Sequence, residues 1–469
     1  MRIKLGRPML LRQIATLGEC TLYFSGEDAC QTAIGYLTTD TRELLPGDLF
    51  VALQTEKDDG HAYLTEAYEK GASAALIQND RVGDAAPICL LTARDTMCAL
   101  ITFATAWSNS IPHRTIAVTG SVGKTTTRHL LASVLGEHYR IHESDGNFNN
   151  LLGTALTLLS MTTECEYLVA ECGMDAPGQI SRISRALRPD VAVITGIGIS
   201  HLEKLKTKEA ICEAKLEILD GIKPEGTLYC PSAEPLLCHM ANVIPKTFSV
   251  YDSGADCHME NLRHFELGMQ FDFLTPDGRI NGLHVPILSE TIMPGVACAA
   301  GVALAEGVSE EELRRGLARY KPLPLRQNIR MLGEVFILLD CYNACPASMK
   351  AAGESARHLQ NMTGGKIVAL LGDMTELGAA TEGGHRETGA YMAGICKSIF
   401  AVGHNADLYA AGVPASLSSC MHTFPADADR TKIADLIASE LRPSDILLVK
   451  GSRVCRLETF LPILENKLS

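Results

Sequence analysis

Residues 115–130 read TIAVTGSVGKTTTRHL, an apolar run that breaks into glycines around a Gly-Lys-Thr and resumes with helix formers. A strand that empties into a glycine loop and returns as a helix is the building unit of a parallel sheet covered by helices, so α/β architecture is the expectation. The N–H groups of such a loop gather at a helix N-terminus, where the helix dipole favours negative charge. Gly120, Ser121, Val122, Gly123, Lys124, Thr125 and Thr126 therefore form the candidate phosphate loop. It is shorter than the usual pattern, because Val118 stands where the first glycine belongs. Lys124 would meet the β- and γ-phosphates of ATP, and the Thr125 hydroxyl would hold Mg²⁺; an ordinary glycine turn capping a helix is the alternative.

The same order recurs along the chain. EYLVAECG brings Glu171, and VAVITGIGISH brings His201, to the ends of apolar runs. Ligands of an open parallel sheet bind outside the carboxyl ends of its strands, so Lys124, Glu171 and His201 are expected at one site. Taken alone, Glu171 is either a cation ligand or a solvated carboxylate, and His201 is equally a helix cap or a surface residue. Beyond residue 322, EVFILLDCYNACP, GKIVALLGDMTELG, KSIFAVGHNADLY and DILLVKGSRVCR place Asp340, Asn343, Asp373, Glu376, Lys450 and Arg453 after apolar runs. A second parallel sheet follows from that repetition. Before residue 110, DLFVAL, AYLTEAYEKGA and SAALI form a smaller α/β unit with no catalytic constellation. Three domains result: a small N-terminal α/β domain (1–110), a central P-loop-type ATPase domain with a mainly parallel sheet (111–322), and a C-terminal Rossmann-like α/β domain (323–469). The Pro-rich YKPLPLRQN is the expected hinge.

Composition narrows the function. A formal net charge of −13 with no Lys/Arg block excludes a nucleic-acid footprint. The N-terminus lacks signal-peptide grammar, and no run of about 18 apolar residues occurs, so no membrane insertion and a cytoplasmic location are expected. A monomer is expected. The 16 cysteines are scattered without paired C-x-x-C spacing and read as reduced thiols.

Lys215 is the anomaly. In KEAICEAKLEILDGI, Ile211, Ile218 and Ile222 define an apolar stripe with Lys215 in its middle. It either snorkels to the surface or gives up its charge, leaving a reactive neutral amine.

Taken in order, AVTGSVGKTTT, GNFNNLLGTALTLL, ECGMDAPGQI, ISHLEKLKTKEAICEAKLEIL, LLDCYNACPASMKAA, LLGDMTELG and LLVKGSR resemble the Mur ligases. The likeness spans nearly the whole chain, including TDTRELLPGDLFVAL and DDGHAYL. GNFNN and GDMTELG favour the member that joins a D-alanyl-D-alanine dipeptide to a UDP-linked muramyl tripeptide in peptidoglycan precursor synthesis. The resemblance implies ATP-dependent ligation through an acyl phosphate, with two Mg²⁺ ions and a carbamylated Lys215. It places Thr125 and Glu171 on the nucleotide Mg²⁺, and His201 and Lys215 near a second ion. Asn147, Asn149 and Asn150 would face the muramyl substrate. Arg326, Asp340, Tyr342 and Asn343 would meet the nucleotide, Lys450, Ser452 and Arg453 would lie near the reacting ends, and Asp373, Glu376 and His385 would help place the dipeptide. The chain departs from the family pattern at TIMPG, where Thr291, Ile292 and Gly295 replace polar residues. It departs again where Leu339 and Cys345 replace an acid and an amide. These departures keep open a paralog with another acceptor or amine, or an ATP-binding regulatory protein without ligase activity.

Overall fold

The computed structural model describes residues 1–23, 32–84, 88–198, 207–375 and 377–468; His201 and Glu376 lie outside them. Among the described residues the strands gather into three sheets, mainly parallel, as the apolar runs require. The N-terminal sheet takes β1 (Arg2–Leu10), β2 (Thr21–Tyr23), β3 (Ala33–Thr38), β4 (Leu49–Val51), β5 (Ala74–Gln78) and β6 (Cys89–Ala93) in the order β1-β3-β4-β5-β6-β2. Its inner pairs are parallel and its two edge pairs antiparallel.

The central sheet contains β7 (Arg114–Thr119), β8 (Ile141–Glu143), β9 (Tyr167–Glu171), β10 (Val191–Ile194), β11 (Thr227–Pro231) and β12 (Lys246–Ser249), ordered β12-β11-β10-β7-β9-β8. Every one of these pairs is parallel. Register sets their ends level: Val118 lies opposite both Glu171 and Val193, and Thr119 lies opposite Ile194. With β7 flanked by β9 and β10, strand order reverses there, and such a reversal opens a crevice at the carboxyl edge. An antiparallel meander follows: β13 (Cys257–Phe265), β14 (Gly268–Thr275) and β15 (Gly278–Val285).

The C-terminal sheet comprises β16 (Asn328–Leu332), β17 (Val335–Asp340), β18 (Ile367–Gly372), β19 (Ser398–Val402), β20 (Met421–Phe424) and β21 (Ile446–Lys450), ordered β16-β17-β21-β18-β19-β20. Only β16 is antiparallel to its neighbour. The central strands are buried on both faces, which is why they read as unbroken apolar runs rather than alternating ones.

By internal contacts the chain forms two compact units, Met1–Cys257 with Cys298–Leu313, and His258–Ala297 with Arg314–Ser469. Inside the first unit, one apolar core runs from the N-terminal sheet to the helices of the central sheet. Trp107 anchors it: the ring is buried and its Nε1 donates to the Met161 carbonyl at 3.1 Å. In the second unit, apolar residues pack on both faces of the C-terminal sheet. No helix among the described residues is long and apolar enough to cross a membrane. All described cysteines are free.

Candidate nucleotide and metal site

The phosphate loop forms as the glycines demand. Gly120 has φ +142°, and a Cβ there would lie 2.0 Å from Thr195 Oγ1; Gly123 has φ +85° and caps the helix Lys124–Leu135. Both positions therefore need glycine. Thr195, just past β10, donates from Oγ1 to the Val122 carbonyl at 2.5 Å and holds the loop's outer turn. Lys124 folds back over the loop, donating to the carbonyls of Gly120 at 2.9 Å and Ser121 at 3.4 Å. Val122 is exposed, and Thr125 and Thr126 are half-buried in the first helical turn.

Glu171 ends β9 one strand away. It is buried, with Oε1 accepting from Asn149 Nδ2 at 2.9 Å and Oε2 buried without a partner. A buried carboxylate oxygen with nothing to bind costs free energy, and a hard cation would satisfy it. Ser121 Oγ, in the loop, is likewise buried and unpaired. The donor set thus fits a Mg²⁺ that takes a protein carboxylate, a hydroxyl and phosphate oxygens. No group of three His, Cys, Asp or Glu gathers among the described residues.

Lys215 does not snorkel. The helix Lys208–Leu216 keeps it 1 % exposed, with Ile211 and Ile218 also buried. The α-helix stops before Ile222, tightening to a 3₁₀ turn over Glu217–Gly221, where a Cβ on Gly221 would lie 2.1 Å from the Ser184 carbonyl oxygen. Burial, and then the Lys124 ammonium, push the Lys215 amine down to about 7 from its ordinary 10.5. A lysine this far down is half neutral near physiological pH, the form that reacts as a nucleophile.

The GNFNN loop lies beside Glu171. Asn149 is half-buried on the carboxylate, and its carbonyl accepts from Gly173 N–H at 2.7 Å. Asn150 caps the helix Leu151–Ser160 through Gly153 N–H at 2.8 Å. Asn147 is exposed.

A second cluster occupies the carboxyl edge of the C-terminal sheet. Lys450 is 1 % exposed, with Nζ 2.9 Å from Asp340 Oδ2 and donating to the carbonyls of Asp340 and Asn343. Gln327 Nε2 donates to the same Asp340 oxygen at 2.8 Å. The Arg326 guanidinium lies over the Tyr342 ring, 4.0 Å from its centroid, between Leu325 and Gln327 at φ +64° and +53°. Left-handed backbone at two such residues is strained, and it turns Arg326 onto the ring. Ser452 Oγ accepts from Thr375 N–H at 3.0 Å, while exposed Arg453 pairs with Glu458.

Asp373, in LLGDMTELG, and His385, seven residues beyond that stretch, are both buried. Both Asp373 carboxylate oxygens accept backbone N–H bonds, from His404 and Asn405 at 2.9 Å. His385 is fully buried, with Nε2 accepting from Met374 N–H and Nδ1 donating to the Thr381 carbonyl, which fixes its tautomer. They shape the loop after β18 from within. Sequence reasoning passed over Thr195, Gln327 and Ser144, although Thr195 lies in VAVITGIGISH and Gln327, beside Arg326, in YKPLPLRQN, both stretches already singled out.

The Lys450–Asp340 pair has a measurable consequence. Lys450→Met leaves a largely buried carboxylate without its cation and should lower unfolding stability by about 3 kcal/mol. Denaturant titration checks this, and an unchanged midpoint would mean that Gln327 alone satisfies Asp340.

Comparison with known proteins agrees with this layout. Residues 118–303 match the Mur ligase middle domain, and residues 327–453 the Mur ligase glutamate ligase domain. The UDP-N-acetylmuramoyl-tripeptide–D-alanyl-D-alanine ligase of Bacillus subtilis is 34% identical over 94% of this chain and 95% of its own. The enzyme of the same name from Escherichia coli is 30% identical over 96% and 98%. A crystal structure of MurF from Acinetobacter baumannii superposes with a TM-score of 0.90 at 29% identity, covering 99% of this chain and 100% of that one. MurF ligase from Thermotoga maritima in complex with ADP gives 0.76 at 26% identity, covering 92% and 97%. With its phosphate loop and carboxylate at the ends of adjacent central strands, a buried lysine on the helix Lys208–Leu216, and this likeness along nearly its full length, the chain belongs to the Mur ligase family.

Proposed function

We propose that this protein is an ATP-dependent ligase that joins D-alanyl-D-alanine to the terminal carboxylate of UDP-N-acetylmuramoyl-tripeptide. The observation that carries the reading is Glu171 with an unsatisfied buried oxygen, level with the Lys124 loop and accompanied by a buried lysine driven toward neutrality. The identity of the two joined substrates rests on the named relatives.

The carboxylate of the tripeptide attacks the γ-phosphate of ATP, giving an acyl phosphate and ADP. The amine of the dipeptide then attacks the acyl carbon, and phosphate leaves as the amide forms. Bringing two anions together is the main electrostatic demand, and the loop N–H groups with Lys124 meet it at the phosphates. Thr125 and Glu171 would hold a Mg²⁺ that neutralises phosphate charge when bound. Lys215 is assigned to a carbamate: its neutral amine adds CO₂ and loses a proton, which replaces a buried cation with an anion. That anion, together with His201, would support a second cation. Asn147, Asn149 and Asn150 are assigned to the muramyl substrate, and Arg326, Asp340, Tyr342 and Asn343 to the nucleotide's base and ribose. Lys450, Ser452 and Arg453 would serve the reacting ends, with Asp373, Glu376 and His385 setting the loop that places the dipeptide. The N-terminal domain (1–110) would hold the UDP end of the acceptor, the central domain (111–322) the ATP, and the C-terminal domain (323–469) the dipeptide. Since the reaction consumes ATP and a UDP-linked precursor, it is assigned to the cytoplasm.

Phosphate release with ATP and Mg²⁺ tests the reading, with muramyl tripeptide and dipeptide supplied separately and together. Release that requires both, and a product heavier by one dipeptide less water, is the expected result. Release with a different amine only would move the assignment to another member of the family.

A further inference from the structure

Arg128 has no part in the scheme above, yet it is one of the few cations buried in the central domain. It stands one helical turn after Lys124, so the two side chains leave the same face of the loop helix. Its guanidinium does not end on a tight ion pair. Nη1 donates to the Ser144 carbonyl and reaches the Gly146 carbonyl at 3.5 Å, while Nε is buried without a hydrogen bond, 3.7 Å from Glu143 Oε2. A buried charge spent on the main chain of an irregular segment is costly unless the segment must be held.

That segment is the mount of Glu171. Ser144 N–H donates to the Val169 carbonyl at 3.1 Å, and Ser144 Oγ accepts from Glu171 N–H at 3.1 Å. A few residues on, Asn149 holds Glu171 Oε1, while Oε2 stays buried without a partner. Arg128 therefore connects the helix that carries Lys124 directly to Ser144, which bonds the Glu171 N–H, and reaches Gly146, three residues before Asn149.

We infer that Arg128 is a positioning residue that fixes Glu171 relative to the phosphate loop, so that the nucleotide and its cation are bound as one unit. The inference rests on the assignment of Glu171 to Mg²⁺ made above, but not on which amine is ligated.

ADP binding by calorimetry, with Mg²⁺ and with EDTA, tests it on the full-length protein without acceptor or dipeptide. For the parent protein Mg²⁺ should strengthen ADP binding. In Arg128→Met that gain should fall about tenfold or more, the scale on which supports of metal ligands act, while affinity in EDTA stays within about twofold. Arg128→Lys keeps the charge but loses the fork, and should recover part of the gain. Ser144→Ala reaches Glu171 without altering Arg128 and should reduce the gain in the same way, which covers an Arg128→Met protein that fails to fold. Equal weakening with and without Mg²⁺ would show a general support of the helix and overturn the inference, as would an undiminished gain in both Arg128→Met and Ser144→Ala. A parent protein with no Mg²⁺ gain would instead remove the Glu171 assignment and the inference with it, whereas a failed ligation assay alone would leave the inference standing.

Discussion

Lys124→Ala should lose ligation by at least about a thousandfold, the scale on which single charge-stabilising groups act in phosphoryl and acyl transfer. The side chain donates to the loop carbonyls of Gly120 and Ser121, and its removal leaves both glycines of the turn in place. Thr195 still ties down Val122, and Gly120 and Gly123 still set the turn. The variant should therefore melt close to the parent temperature while single-turnover formation of ADP disappears. Activity retained within about tenfold would exclude the loop lysine as the group that neutralises the phosphates.

The second large effect concerns Lys215. Lys215→Ala should lower turnover by about a hundredfold or more, and a short carboxylate such as formate should restore part of it by filling the vacated space with an anion. Lys215→Met tests the same residue through stability. In the unfolded chain the amine holds its proton up to about 10.5, and in the fold only to about 7. Between those values the unfolded state binds more protons, so stability of the parent rises with pH across that window. The cost of burying the charge is fully present below pH 7 and gone above 10.5; at 1.36 kcal/mol per unit it is on the order of 5 kcal/mol. Lys215→Met, with no proton to lose, should be the more stable protein at pH 6 and should surrender that advantage as pH rises. Denaturation in buffers freed of CO₂ makes the comparison clean, because a carbamate would itself relieve the burial. A stability gap independent of pH would mean that Lys215 is charged and compensated in the fold.

What could be read from the chain was whatever a residue declares by its own type and spacing. Gly120 and Gly123 announced backbone that only glycine adopts easily, and Lys215 announced itself as a charge on an apolar stripe. The parallel sheets were legible because strands buried on both faces cannot alternate. Arg128, Ser144 and Thr195 were hidden because they act on main-chain carbonyls and N–H groups far along the chain, which leave no side-chain pattern. Asp373 lay in a polar motif that also describes an exposed loop, His385 lay beyond it, and only the fold shows their polar atoms turned onto backbone. Lys450 and Asp340 are 110 residues apart, and only strand order makes them partners.

That strand order also governs how the protein is made. β21 is the last strand among the described residues, yet it occupies the middle of its sheet, between β17 and β18. As the chain leaves the ribosome, β17 and β18 each wait with an unpaired edge until residue 450 has emerged, so the sheet cannot close progressively from one side. Two apolar strands with open edges are a template for pairing with other chains. The nascent C-terminal domain is thus exposed to wrong pairing until its last strand arrives, and a chain that stops before β21 lacks the strand that joins the two halves of that sheet.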